Sequence, residues 1–230
     1  MLKSFKMLSL ALAFSSCAFA HTPDNQLTIE EQKAGWQSLF NGKDMSMWRN
    51  FKSDTVNSAW KIEDNAMTLT QGGGDILTKK MYRDYELQMD WKISTKGNSG
   101  IFVLADETGS MIYSHAPEIQ ILDNVEHSDN KIDSHLSGSI YDLFAAPKAA
   151  HKLANNWNHV RIRMQDMHLQ VWQNGISTTS IVIGSTTWNT LVANSKFATW
   201  ENFATAEQGH IGLQDHGDKV WFKNIKIKEL

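Results

Sequence analysis

Two packed antiparallel β-sheets are the fold this sequence predicts, on three observations. The stretch from Tyr85 to Ile93 alternates apolar and polar side chains over nine positions, the period of a half-buried strand. About a dozen shorter runs of the same kind are separated by turn residues, with Asn174-Gly175 the strongest hairpin signal among them. Helical periodicity is scarce, and there is no internal repeat, low-complexity block or second composition that would mark another domain.

The chain opens with Lys3 and Lys6, an apolar run from Met7 to Phe14, and Ala18-Phe19-Ala20. That order reads as a signal peptide, residues 1–20, cleaved after Ala20, with a periplasmic or secreted product. Lipid attachment at Cys17 is the alternative, and Phe14-Ser15-Ser16 matches a lipid-attachment signal poorly. Cleavage takes Lys3 and Lys6 from the 22 basic residues and none of the 25 acidic ones, moving the formal charge from −3 to −5. It also removes the single cysteine, so neither a disulfide nor a thiolate metal site is expected in the mature chain. An acidic balance without a lysine or arginine run excludes a nucleic-acid footprint. No later stretch is apolar for long enough to span a membrane.

Residues 21–35 are polar, carry Glu30-Glu31, and are expected as a tether or short helix. Residues 36–230 are expected as one domain, long enough to bury a core. Strands are predicted at Trp36–Phe40, Trp60–Glu63, Met67–Thr70, Asp75–Thr78, Tyr85–Ile93, Ile101–Leu104 and Pro117–Asp123. Residues 124–156 are rich in Asp, Asn, Ser and His, with a short strand expected at Ser139–Asp142. A loop this long is more often functional than idle. Strands resume at Trp157–Met164, His168–Gln173 and Ile176–Ile183. A helical turn or two is expected in Thr187–Phe203, and two strands, Gly209–Gly217 and Val220–Ile227, close the chain. Most of the nine tryptophans should be core, with some lining a sugar-sized cleft.

Chemistry points first to Pro117–Asp123, where alternation puts Glu118, Gln120 and Leu122 on one face. A carboxylate and an amide side by side in a β-branched strand are either satisfied by neighbours, exposed on a solvated face, or part of a cleft. Laminarinase-type sandwich glycosidases carry a second carboxylate on such a face, about 5–5.5 Å from the first, for double displacement. Here Leu122 stands in its place and Asp123 points away, which argues against ordinary retaining hydrolysis. The histidines show no metal-ligand spacing. His21 would be a mature N-terminus able to offer amine and imidazole to copper, but the polar stretch after it argues against a rigid site. Gly97-Asn98-Ser99-Gly100 lacks the strained elbow of a serine nucleophile and reads as a turn into a strand.

Six segments resemble, in order, the 3-keto-disaccharide hydrolase domain family. They are Leu39-Phe40-Asn41-Gly42-Lys43-Asp44 with Trp48, Gly97–Phe102, Glu118–Asn124, Gly138–Asp142, Trp157-Asn158, and Gly209–Gly217 through Phe222–Lys228. The resemblance implies a concanavalin A-like jelly roll, of the lectin and glucanase type, whose concave face binds sugar. It implies glycosides already oxidised at C3 by a separate oxidoreductase. A ketone at C3 acidifies the C2 hydrogen, so one base can start elimination of the C1 substituent and water can add back. The resemblance makes Glu118 and Gln120 the pocket centre, with Asn98, Gln214, Asp215 and His216 at nearby strand ends. Glu118 or His216 is then the general base, and Gln120 or Tyr141 the donor to the enolate oxygen. His135 and Asp133 are weaker candidates, as rim or metal contacts. No cofactor is required, and a bound divalent ion is left open. A carbohydrate-binding module without catalysis, and a lyase or hydratase performing half of the reaction, are the alternatives.

Overall fold

The computed structural model describes residues 22–230. The leader, its cleavage point, Cys17 and His21 lie outside the described residues. In chain order the strands are β1 (Gln37–Ser38), β2 (Trp48–Asn50), β3 (Trp60–Glu63), β4 (Ala66–Leu69), β5 (Ile76–Thr78), β6 (Tyr85–Ile93), β7 (Asn98–Ala105), β8 (Glu118–Leu122), β9 (Asn158–Gln165), β10 (His168–Gln173), β11 (Ile176–Val182), β12 (His210–Leu213) and β13 (Val220–Glu229). They form two antiparallel sheets. One has eight strands, in the order β11-β10-β9-β6-β13-β4-β3 with β1 also paired to β13. The other has five, in the order β2-β5-β12-β7-β8.

The alternation expected of β6 is observed without exception: Tyr85, Leu87, Met89, Trp91 and Ile93 are buried, and Glu86, Gln88, Asp90 and Lys92 are half-buried on the outer side. These inward residues meet Ile101, Val103, Ile119, Ile121, Ile211 and Leu213 from the five-stranded sheet in one continuous core, as sandwich packing requires. In β13 the apolar phase shifts by one residue, and Asn224, at φ 55°, absorbs the extra residue as a bulge. Asp64-Asn65 and Asn174-Gly175 take positive φ at both positions, the geometry a two-residue turn needs to join twisted strands.

Three expectations change. Trp48–Asn50 is an edge strand that the sequence reading left out. The strand expected at Ser139–Asp142 is absent: Ile140 alone bridges to Ile119 and Phe144. The strand expected over Trp36–Phe40 shrinks to Gln37–Ser38. Of the two forms expected for the N-terminal segment, the short helix is the one observed, and residues 22–35 are docked against the sheet. They hold the short helix α1 (Ile29–Lys33), whose Thr28 and Glu31 cap each other's backbone. Asn25 exchanges two hydrogen bonds with Asn224, at 2.6 and 2.8 Å, and donates a third from Nδ2 to the Asn65 carbonyl at 2.7 Å. The helical stretch expected after residue 187 is present as α2 (Thr186–Ala193), capped by Ser185, followed by a 3₁₀ turn at Lys196–Thr199. Among the described residues no helix is long and apolar enough to cross a membrane.

Candidate active site

The outer face of the five-stranded sheet carries the polar floor of a cleft. The β7–β8 register sets Asn98 opposite Leu122, Gly100 opposite Gln120 and Phe102 opposite Glu118. The Gln214 amide donates to the Gly100 carbonyl at 3.0 Å, which brings the end of β12 alongside. Asn98, Glu118, Gln120 and Gln214 therefore share one surface, while Ile119 and Ile121 point into the core. The floor depends on Gly100: a Cβ there would stand 2.2 Å from Glu118 Oε1. Further along the same face Leu77, Phe102, Ala105, Ile112 and Ala116 form a small separate apolar cluster.

Two segments wall the floor into a cleft of about 590 Å³. The long loop after β8 supplies His127, Ser128, Asp129 and Tyr141, and the turn after α2 supplies Lys196 and Phe197, with Tyr113 and Ala116 at one end. Tyr141 is held from several sides. Its amide donates to the Glu118 carbonyl at 2.9 Å, its hydroxyl donates to Asp129 Oδ2 at 3.1 Å, and its ring stacks on His135 with centroids 4.4 Å apart. His135 in turn lies with Nδ1 2.8 Å from Asp129 Oδ1 and Nε2 3.1 Å from Asp142 Oδ1. Asp142 Oδ2 accepts from the Lys196 amide at 2.8 Å, which ties the loop to the opposite wall. The Lys196 ammonium lies 4.0 Å from the Tyr141 ring centroid, a cation–π contact.

Electrostatics single out Glu118. Burial pushes its carboxyl up to about 8; the charges of Asp75 and Asp129 push the same way, and Lys196 and a hydrogen bond from Gln214 only partly oppose them. Burial likewise raises Asp75 to about 6, against a hydrogen bond from the Asp215 amide. Lys196 is lowered from its ordinary value by burial, with Glu118, Asp142 and Asp129 resisting the shift. Gln120 Oε1 accepts from the Ile121 amide at 3.1 Å, which turns the NH₂ end toward the cleft. Asn98 Oδ1 and Gln214 Oε1 are buried acceptors without a protein partner, on two residues that line the cleft.

A model of the 3-keto-alpha-glucoside-1,2-lyase-like domain matches residues 35–228, nearly all of the described chain. The chain belongs to the 3-keto-alpha-glucoside-1,2-lyase-like family. It is also 33% identical to a 3-keto-disaccharide hydrolase of Bacteroides thetaiotaomicron, covering 96% of this chain and 87% of that one. A crystal structure from Parabacteroides distasonis, provisionally named a glycosyl hydrolase, superposes with a TM-score of 0.85 at 30% identity, covering 90% of this chain and all of the other. More distant sandwiches share the fold alone. A carbohydrate-binding module of Bacillus subtilis reaches a TM-score of 0.50 at 11% identity, over 80% of this chain and 96% of the other. A galectin-like protein of the same species reaches 0.53 at 9%, over 90% and 94%. The fold is a jelly-roll sandwich, and the chain is a hydrolase-like, glycoside-acting enzyme of this family.

In this member of the 3-keto-alpha-glucoside-1,2-lyase-like family, Glu118, Gln120, Asn98, Tyr141, Gln214 and His216 all line the cleft. His216 sits exposed at the rim, its Nε2 3.4 Å from Asn98 Nδ2. Two expected site residues do not line it. Asp215 points to the other side of its strand end, where its carboxylate accepts from the Gly74 and Gly217 amides at 2.8 and 3.0 Å. His135 is buried behind Tyr141 as its support, not as a rim or metal contact. Asp133 is exposed and paired with Lys148 at 3.0 Å. Among the described residues no three imidazole, thiol or carboxylate groups are arranged to hold a metal ion. The tryptophans expected at the sugar cleft are elsewhere, with Trp48, Trp60, Trp91 and Trp188 in the core. Lys196, Asp129, Asp75, Tyr113 and Phe197 are features of the site that the sequence reading missed.

Proposed function

We propose that this enzyme cleaves 3-keto-glycosides by one-base chemistry centred on Glu118. What carries the reading is the floor of the cleft: a carboxyl raised to about 8, set among amides. A base whose pKa lies near working pH is the one best placed to take a carbon-bound proton. The nearby carboxylates are otherwise engaged, Asp129 by Tyr141 and His135, and Asp75 by the Asp215 amide. That arrangement does not suit the paired acids of an oxocarbenium route.

In the proposed reaction Glu118 takes the C2 proton, and the electron pair moves onto the C3 oxygen as an enolate. The Gln120 NH₂ and the Lys196 ammonium stabilise that oxygen. The enolate collapses, the C1–O bond breaks, and the leaving oxygen takes the proton from Glu118, leaving an enone. Water then adds: Glu118 accepts a proton from it as hydroxide attacks C1, and returns that proton to C2. The net change is 3-keto-glycoside plus water to 3-keto-sugar plus alcohol. Asn98 and Gln214, which line the cleft, are placed to hydrogen-bond ring hydroxyls through their side-chain amides. The reading calls for a separate oxidoreductase acting at C3 to supply the substrate, and a leader cleaved after Ala20 would send this enzyme to the periplasm or out of the cell.

The test is incubation with a 3-keto-disaccharide and with its unoxidised parent. Cleavage of the ketone alone is expected. Binding of both without cleavage would make the protein a carbohydrate-binding module.

A further inference from the structure

Beside the cleft lies a second hollow of about 340 Å³, between the turn at 110–115 and residues 200–201. Tyr113 lines both spaces, so the two adjoin. The strand register gives this junction a direction. Asn98 pairs with Leu122 at one end of β8, whereas Ala116 and Tyr113 precede Glu118 at the other. The cleft is thus amide-rich toward Asn98 and Gln214 and becomes apolar toward the hollow.

The hollow exposes apolar surface that water solvates poorly. Met111 is 51% exposed and Tyr113 40%, and the Tyr113 and Trp200 ring centroids stand 6.0 Å apart at 43°. Trp200 is braced edge-on against Phe197, 5.0 Å away, and Phe197 is itself part of the cleft wall. Most polar side chains nearby bind one another: Ser110 Oγ and Ser114 Oγ are 3.4 Å apart, Ser114 Oγ accepts from the Met111 amide at 3.2 Å, and His115 Nδ1 lies 3.0 Å from Asp106 Oδ1; Glu201, at the edge of the hollow, is exposed. A second sugar ring would bring several hydroxyls that need partners here. A flat aromatic group needs only ring faces and a thioether.

We propose that the hollow is the leaving-group subsite and that it selects aromatic aglycones. The inference rests on the 3-keto-glycoside reading above. It makes Trp200 and Met111 specificity determinants that touch the departing group and not the sugar.

The test compares 3-keto-glucosides bearing methyl and benzyl groups, whose alcohols leave with similar ease, so that a preference reports binding and not leaving-group acidity. The expected wild-type result is kcat/KM for benzyl about tenfold or more above methyl, the least that an apolar group in a fitting pocket gives. Trp200→Ala should reduce the ratio to near unity, and Met111→Ser, a surface change that leaves the fold intact, should reduce it in part. A ratio near unity in the wild type, or one that neither substitution moves, overturns the subsite while leaving the 3-keto reading in place. A 3-keto-disaccharide cleaved more efficiently than the benzyl glucoside overturns the aromatic preference. Cleavage of none of these ketones overturns both inferences.

Discussion

At the scale of single residues, Glu118 should govern both rate and stability. As the base it must be ionised, so kcat/KM should climb with pH through a midpoint of about 8. A profile that falls through this range would make Glu118 an acid instead. Glu118→Gln should cost roughly 10²–10⁴-fold in kcat/KM. The stability effect has the opposite sense. A carboxyl raised in the folded state favours folding while it is protonated, so this contribution is complete below the unfolded value of 4.5 and is lost as pH rises through about 8. Asp75 adds a similar loss through about 6. Glu118→Gln should therefore be about as stable as wild type near pH 4 and more stable at pH 9, with each kcal/mol raising Tm by roughly 2–4 °C in a chain of this size. Parallel denaturant midpoints at the two pH values would show that the carboxyl is not desolvated.

At the scale of elements, the pairing of β7 with β8 and the two walls tune that carboxyl. Gly100→Ala puts a methyl group 2.2 Å from the Glu118 carboxylate; it should suppress turnover while circular dichroism stays that of the wild type. The walls act through charge. Asp129 raises the Glu118 pKa and Lys196 lowers it, so Asp129→Asn should move the kcat/KM midpoint below that of the wild type and Lys196→Gln above it. Shifts in the same direction would exclude an electrostatic role for one of them. How much of this was legible depends on range. Glu118 and Gln120 could be read from alternation within one strand, and the Gly97–Gly100 turn placed Asn98 at a strand end. Alternation across Gln214-Asp215-His216 also puts Asp215 opposite its neighbours, and the family resemblance obscured that. Lys196 and Asp129 reach Glu118 only through tertiary folding of irregular segments. No period in the sequence links a lysine after α2 to a strand more than seventy residues earlier.

At the scale of the whole molecule, the two sheets divide the work. The eight-stranded sheet carries the most regular alternation, and its architecture was accordingly the clearest part of the sequence. The docked segment 22–35 binds that sheet through Asn25, Glu31 and Asp24, a contact between chain ends that local pattern cannot reveal. Because it lies on β13 and away from the cleft, Asn25→Ala should destabilise by about 1–3 kcal/mol in urea titration with kcat/KM unchanged. A matching loss of activity would mean that the two sheets are coupled. The five-stranded sheet, buried on its inner face and polar at one end of its outer face, presents the chemistry. If Glu118 moves a proton at C2, hydrolysis of a 3-keto-disaccharide in D₂O, read by NMR before spontaneous exchange, shows it most directly. One deuterium at C2 of the released sugar, formed by the wild type and not by Glu118→Gln, is the expected result; cleavage that leaves the C2 hydrogen in place would contradict it.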